Sequence, residues 1–450
     1  MTNQQQVSEE TENHIHESRE VLIRSQLNVY ERQKTENSIT PEQALIHLIK
    51  VMMGTGMLSL PLAFKHSGLF LGLPLLVLIC CVCTYCCRIL VHSSTYLCRR
   101  KGQEKMDYAN VMRNAVEFGP EWISGWGYFA KNVVNLNMFI AQIGFCCVYF
   151  VFMADNLKQF FDETSEIHIS QAGWIGLLLI PIFFLCTIRQ LKVLAPFALI
   201  GNVVYIVAVT IVIYYLCSHL QPITAVKYVG HWEDMPLFFG TVMFAFEGIA
   251  VILPIENQMD EPHHFISNTG VLNTACLLVL CVYCTTGFYG YLAFGEAVKD
   301  TITLNLPNEW FYQCIKLMFV GCILVSFPLQ FYVPIERIEK YISRKLPQDR
   351  QEFFIYFARY SLVIVACLLA ELIPHLALFI SLIGAFAGTA LALLFPPVID
   401  LLTHWAQCTL SPKVWLLDLV LMGFGLLGFL TGTYASLLEI AKAFGNEDPL

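Results

Sequence analysis

Long apolar runs follow one another along almost the whole chain, parted only by short charged stretches, and this leaves few folds open. Apolar stretches of about 18 or more residues are long enough to cross a bilayer as helices. Eleven can be marked, near residues 43–67, 71–97, 121–154, 172–188, 194–217, 236–256, 267–292, 311–334, 355–373, 376–399 and 414–438, and they are numbered segments 1 to 11 below. Of the 450 residues, 56% are hydrophobic and 14% charged, where a soluble chain carries about a quarter charged. The fold class read from this pattern is an all-α polytopic membrane protein.

The first 40 residues stand apart. They are Gln/Glu-rich and poor in large apolar side chains, a composition that cannot bury enough surface to order itself. Residues 1–40 are therefore expected to be a disordered tail, 41–440 the transmembrane domain, and 441–450 a short C-terminal tail. No short apolar core with a small-residue cleavage site stands at the start, so no cleavable signal peptide is expected and segment 1 serves as the insertion signal.

Basic residues set the orientation. Arg99, Arg100, Lys101 and Lys105 follow segment 2. Arg189 and Lys192 lie between segments 4 and 5. Arg337, Lys340, Arg344, Lys345 and Arg350 follow segment 8, and Lys413 precedes segment 11. The opposite loops hold scattered lysines only: Lys65, Lys158, Lys227, Lys299 and Lys442. This places the N-terminus in the cytosol and, with an odd number of helices, the C-terminus outside or in a lumen.

Several function classes are disfavoured. There is no GxxxxGK[ST] phosphate loop, which argues against an ATP-driven pump. No nucleophile–base pair or metal cluster stands at membrane depth, so no enzyme, metal or cofactor is expected, and no nucleic-acid partner. The 17 cysteines lie almost entirely in apolar segments. The run Cys80-Cys-Val-Cys-Thr-Tyr-Cys-Cys87 lacks His or carboxylate and reads as packing. The loop at 256–264, ENQMDEPHH, reads as solvated rather than as a metal site.

The informative features are interruptions. Segment 1 contains Gly54-Thr55-Gly56 and then Pro61, poor helix residues in a medium without water to bond the freed backbone groups. A helix that stops near Met53 and restarts near Met57 presents free carbonyls on one side and N–H groups with a positive dipole end on the other. Such a pair can hold a zwitterion, its carboxylate on the N–H groups of Thr55, Gly56 and Met57; a kink packed against a neighbour is the alternative. Segment 6 is interrupted as well, by Glu247 and Gly248, and a carboxylate at membrane depth marks a functional site. Breaks in segments 1 and 6 are what a five-plus-five inverted repeat places around a mid-membrane site: repeat one over about 43–217, repeat two over about 236–399, and segment 11 outside the repeat.

His47 lies two turns before Gly54, about 10 Å toward the cytosol. Histidine titrates near physiological pH, so it can carry a proton beneath such a site; it can equally be an interfacial histidine. Lys131, Asn132, Asn135, Asn137 and Gln142 stripe segment 3 and either line a pathway or bond across helices. The small-residue pairs Gly384/Gly388 and Gly428/Gly432 read as packing contacts.

The run IHLIKVMMGTGMLSLPLAFKHSG resembles the first helix of the proton-coupled amino acid transporters, a branch of the amino acid/auxin permease family. FFGTVMFAFEGIAVILPIENQM resembles their sixth helix, and AQIGFCCVYFVFMADNLKQ and YLAFGEAVKDTITLNLP match elsewhere, so the likeness runs from about residue 40 to 440. The resemblance implies eleven helices in the LeuT-like (APC) inverted-repeat fold, with broken helices 1 and 6. It also implies proton-coupled symport of small neutral amino acids into the cytosol by alternating access.

Carried over by the resemblance, His47 and Glu247 serve proton coupling. Gly54, Thr55, Gly56 and Met57, with Phe244, Phe246, Glu247 and Gly248, hold the substrate. Protons are the coupling ion and no other cofactor is implied. The partners are the amino acid, the proton and the bilayer of a plasma or lysosomal/late endosomal membrane, with nutrient-signalling partners a further expectation. The chain departs from the family in two places: Glu309 stands where some members carry a disulfide cysteine, and Met52-Met53 replaces smaller or polar residues, which bears on substrate size. Two other functions stay open: an amino-acid sensor signalling to growth pathways, and an uncoupled uniporter.

Overall fold

The protein is described from a computed structural model covering residues 38–446 apart from 167, 190, 373 and 374. The tail expected over residues 1–40 lies outside the described residues as far as 37, and so do residues 447–450 of the C-terminal tail. The described residues are helical throughout, with a single bridge between Ile39 and Met259 and no sheet. Among them, nine helices are long and apolar enough to cross a membrane. The other two marked segments are also helical. Segment 4 is the 17-residue Gln171–Thr187, and segment 1 is divided into Pro41–Met52, Thr55–Leu58 and Leu60–Ser67.

Local chemistry explains where segment 1 starts and stops. Thr40 and Gln43 form a reciprocal capping box, with Pro41 in the first turn, where its missing N–H costs nothing. The helix ends at Met52 because Met53 (φ −83°, ψ 73°) and Gly54 leave helical geometry. Pro61 does not break the second half. It sits in the first turn of Leu60–Ser67, after an irregular step at Ser59.

Two segments run well past their expected ends, and one helix is new. Segment 3 runs Gly127–Thr164, past the expected end at 154, and segment 8 runs Trp310–Lys345, past 334. Both continue as polar helix beyond the apolar stretch, so hydropathy registers only part of each. A helix over Tyr108–Glu117, capped by Asp107, was not anticipated. Its apolar face is too short to span a membrane, and it packs sideways, with the Tyr108 hydroxyl donating to the Leu391 carbonyl at 2.6 Å.

Segments 3, 6 and 10 form the centre: 83%, 78% and 72% of their most apolar windows are buried, against 22% for segment 11. Segment 10 is α-helical over Leu376–Ile383 and Phe395–Ala406 and π-helical over Gly384–Gly388 and Ala390–Leu394. Such wide turns usually accompany functional sites, and this one lies against segment 6. A Cβ added to Gly384 would fall 2.0 Å from the Gly240 carbonyl oxygen and 2.5 Å from the Phe244 nitrogen. Glycine is what allows the two backbones to touch there. Gly428 and Gly432 are likewise packed, against Phe239 and Ala385.

Gly384→Ala should therefore destabilise the protein by about 1–3 kcal/mol, because backbone cannot yield as a side chain does. Gly321→Ala, in open space on segment 8, should leave stability unchanged or raise it by up to about 1 kcal/mol. Thermal melting of both variants in detergent checks this; equal melting temperatures would contradict the close contact.

Candidate functional site

The two breaks face each other. A Cβ on Gly56 would lie 2.7 Å from the Ala245 Cα and 2.9 Å from a ring carbon of Phe244. A Cβ on Gly248 would lie 3.1 Å from Cγ of Met52. In segment 6 the first helix is Met235–Ala245 and the second Ile249–Glu256, with Phe246, Glu247 and Gly248 between them. Segment 1 restarts at Thr55, two residues earlier than the sequence suggested, so the N–H groups of Thr55, Gly56 and Met57 occupy its first turn and have no partner within the helix.

The carbonyls freed at the breaks are held by tyrosines of other segments. The Tyr283 hydroxyl, on segment 7 and fully buried, lies within hydrogen-bonding distance of both the Met52 carbonyl and the Ala245 carbonyl, the latter at 2.7 Å. These are the last carbonyls of the two first halves, so one side chain ties both breaks together. Tyr205 of segment 5 donates to the Gly54 carbonyl at 3.0 Å. At the end of the molecule that carries the basic loops, Ile39 N–H bonds the Gln258 carbonyl at 2.9 Å, and Asp260 N–H bonds the Ile39 carbonyl at 3.1 Å. The broken segments are thus also joined at that end.

Between the breaks lies a cavity of about 190 Å³. Gly54, Thr55 and Gly56 line one side, and Phe244, Glu247 and Gly248 another. Segment 3 adds Gln142, Phe145 and Tyr149, and segment 8 adds Leu329, Gln330 and Val333. Phe145 and Phe244 meet with ring centroids 4.8 Å apart. Glu247 is the only charged side chain on the wall, and both its oxygens lack a hydrogen-bond partner among the described residues, as does Oε1 of Gln142. A Cβ on Gly388 would come 3.4 Å from Glu247 Oε2, so the carboxylate lies beside the π-helical turn of segment 10. An unpaired carboxylate at this depth is a site for a proton or a cation.

Six of the residues expected at the site line the cavity: Gly54, Thr55, Gly56, Phe244, Glu247 and Gly248. Met57 is buried behind it, and the Phe246 ring packs on Tyr283 at 4.9 Å. His47 is exposed on the first half of segment 1 and does not reach the wall. Tyr283 and Tyr205 were missed, since nothing in an apolar run distinguishes a tyrosine that binds a distant backbone. Gln142 was flagged only as one member of a polar stripe. Glu261, His263 and His264 have ligand atoms within 4.8 Å of one another, but they sit on an exposed loop and not on this wall.

The family profile described as transmembrane amino acid transporter protein matches residues 37–438. The proton-coupled amino acid transporter-like protein pathetic of Drosophila melanogaster is 35% identical over 414 residues, covering 91% of this chain and 87% of that protein. A probable amino acid transporter of Caenorhabditis elegans, skat-1, is 27% identical over 435 residues, covering 91% and 92%. Among solved structures, a manganese transporter of Eremococcus coleocola, in complex with an aromatic bis-isothiourea substituted compound, superposes with a TM-score of 0.50. It does so at 13% identity, over 90% of this chain and 87% of that one. At that identity the likeness speaks for the fold alone.

Tyr283→Phe should leave the Ala245 carbonyl buried without its donor, while the Met52 carbonyl keeps the Gly54 N–H at 3.0 Å, a loss of about 1–3 kcal/mol. The expected outcome is amino acid uptake reduced on the order of tenfold or more at equal membrane abundance; uptake equal to wild type would show that the hydroxyl holds nothing of consequence.

Proposed function

The chain belongs to the transmembrane amino acid transporter proteins, and from that premise we propose a proton-driven symporter for small neutral amino acids. It is a multi-pass membrane protein with a LeuT-like helical fold, and its substrate is an amino acid. The observation that carries the finer reading is the cavity itself: two opposed helix breaks, apolar walls, and a single unpaired carboxylate.

The carboxylate of a zwitterion fits the first-turn N–H groups of Thr55, Gly56 and Met57, where the dipole is positive. Its ammonium group fits carbonyls at the breaks. Phe145, Phe244 and Val333 leave apolar space for a short side chain and offer nothing to a charged one. Glu247 holds the coupled proton next to the substrate. His47, exposed on the first half of segment 1 and off the wall, hands protons between Glu247 and solvent. Segments 1, 2, 6 and 7 then rock against the remainder, and the amino acid leaves on the cytosolic side, where the basic loops lie. The pathetic protein's description as proton-coupled supports this reading.

The test is amino-acid-evoked current, clamped at about pH 5.5 and then about pH 7.4, the range in which a histidine titrates, across a panel from glycine to leucine. Inward current growing at acid pH, with the smallest side chains preferred, is the expected result; binding without current or acidification would overturn proton symport. Glu247→Gln should keep binding and lose the pH dependence. His47→Ala should flatten it, and an unaltered pH profile would remove His47 from the proton route.

A further inference from the structure

A second set of buried acids lies away from the cavity, near the end that carries the basic loops. Asp400 of segment 10 is 4% exposed and Asp418 of segment 11 is fully buried. Neither oxygen of Asp418 has a hydrogen-bond partner among the described residues, and segment 11 packs directly against Phe395–Ala406, the helix that carries Asp400. Asp400 has partners: the Ser93 hydroxyl of segment 2 donates to its Oδ1 at 3.1 Å, and His404 Nε2 lies 3.7 Å from its Oδ2.

Several titratable groups lie around the two aspartates. From segment 2 come Tyr85, Cys86 and His92, all within electrostatic range. Segment 10 adds His404. The helix Tyr108–Glu117 also packs on segment 10; its Tyr108 is bonded to the Leu391 carbonyl, and its Arg113 and Glu117 are paired with each other at 2.5 Å. Lys413, in the first turn of segment 11, is exposed. Among the described residues, no lysine or arginine is bonded to either aspartate.

Two carboxylates buried in packed neighbouring helices, one of them without a donor, repel each other and are costly to keep charged together. A route to water is also present. His92 lines a cavity of about 690 Å³ at the basic-loop end, together with Arg99, Glu256 and Gln407.

We propose that Asp400 and Asp418 form a second proton-binding site, holding one proton while segment 2 is docked on segment 10 and releasing it toward the basic-loop face when segment 2 moves. In the release step the carboxyl O–H bond breaks, the proton passes to the imidazole of His404 or His92, and the imidazolium gives it to water in the cavity. The pair is left as two carboxylates that water now reaches. The Ser93–Asp400 hydrogen bond joins a segment of the rocking bundle to one outside it, so proton release and bundle movement act on the same contact. This inference rests on the symport reading above.

The experiment uses the full chain in proteoliposomes and compares wild type with Asp418→Asn. One assay is uptake driven by an inward proton gradient; the other is counterflow exchange of labelled alanine, which needs no net proton movement. The expected result is exchange retained and gradient-driven uptake lowered on the order of tenfold, the size of a typical coupling. Gradient-driven uptake equal to wild type would refute the site. If Asp418→Asn loses exchange as well, the double variant His92→Gln with His404→Gln decides. Slowed gradient-driven uptake with exchange intact supports the relay, and unchanged uptake refutes it. A wild type with no proton-driven uptake refutes the symport reading and this site with it, whereas a coupled wild type beside an unaffected Asp418→Asn refutes this site alone.

Discussion

A backbone that leaves helical geometry inside a membrane must find partners for the groups it frees, since each one left bare costs several kcal/mol. That constraint organises this molecule. Segment 1 stops at Met52 and segment 6 at Ala245, and the one hydroxyl proton of Tyr283, from segment 7, lies within reach of both carbonyls, with the Gly54 N–H also on that of Met52. Tyr205 takes the Gly54 carbonyl from segment 5. These three carbonyls thus have a protein donor in reach and keep a lone pair for a ligand, while the first-turn N–H groups of segment 1 have no partner within their helix. A ligand with a negatively charged end is the natural complement.

The helices around the breaks follow from this. Segment 10 widens into π-helical turns where it meets segment 6, and Gly384 against Gly240 brings the two backbones into contact. That approach leaves Glu247 beside Gly388, with no donor to neutralise it. Segment 11 stays at the periphery, largely outside the packed centre, yet it delivers a buried carboxylate in Asp418. Tight glycine contacts and unpaired acids therefore occur together, in the segments that the proposed rocking motion sets against one another.

The fold was readable because its strongest constraints are local in sequence. Apolar runs mark helices, Gly54-Thr55-Gly56 marks one break, and Glu247-Gly248 marks the other. Six of the residues expected at the site line the cavity for the same reason: they lie at the breaks or within a turn of them. Other features were not readable. Segments 3 and 8 continue as polar helix, where hydropathy carries no signal. Tyr283 and Tyr205 act on backbone atoms far away in sequence, and no pattern in an apolar run encodes a partner 231 or 151 residues distant. His47 was placed by helical arithmetic on the face of Gly54, but that arithmetic assumes an unbroken helix. The chain departs from helical geometry at Met53, and the imidazole stands exposed, off the cavity wall.

The central claim is that the space between the two breaks holds the amino acid. Its most direct test is a cryo-electron microscopy structure of the purified chain with alanine. The account expects density between Thr55 and Phe244, with the carboxylate on the N–H groups of Thr55, Gly56 and Met57. Alanine found elsewhere, or an empty cavity in a sample shown to bind labelled alanine, would contradict it.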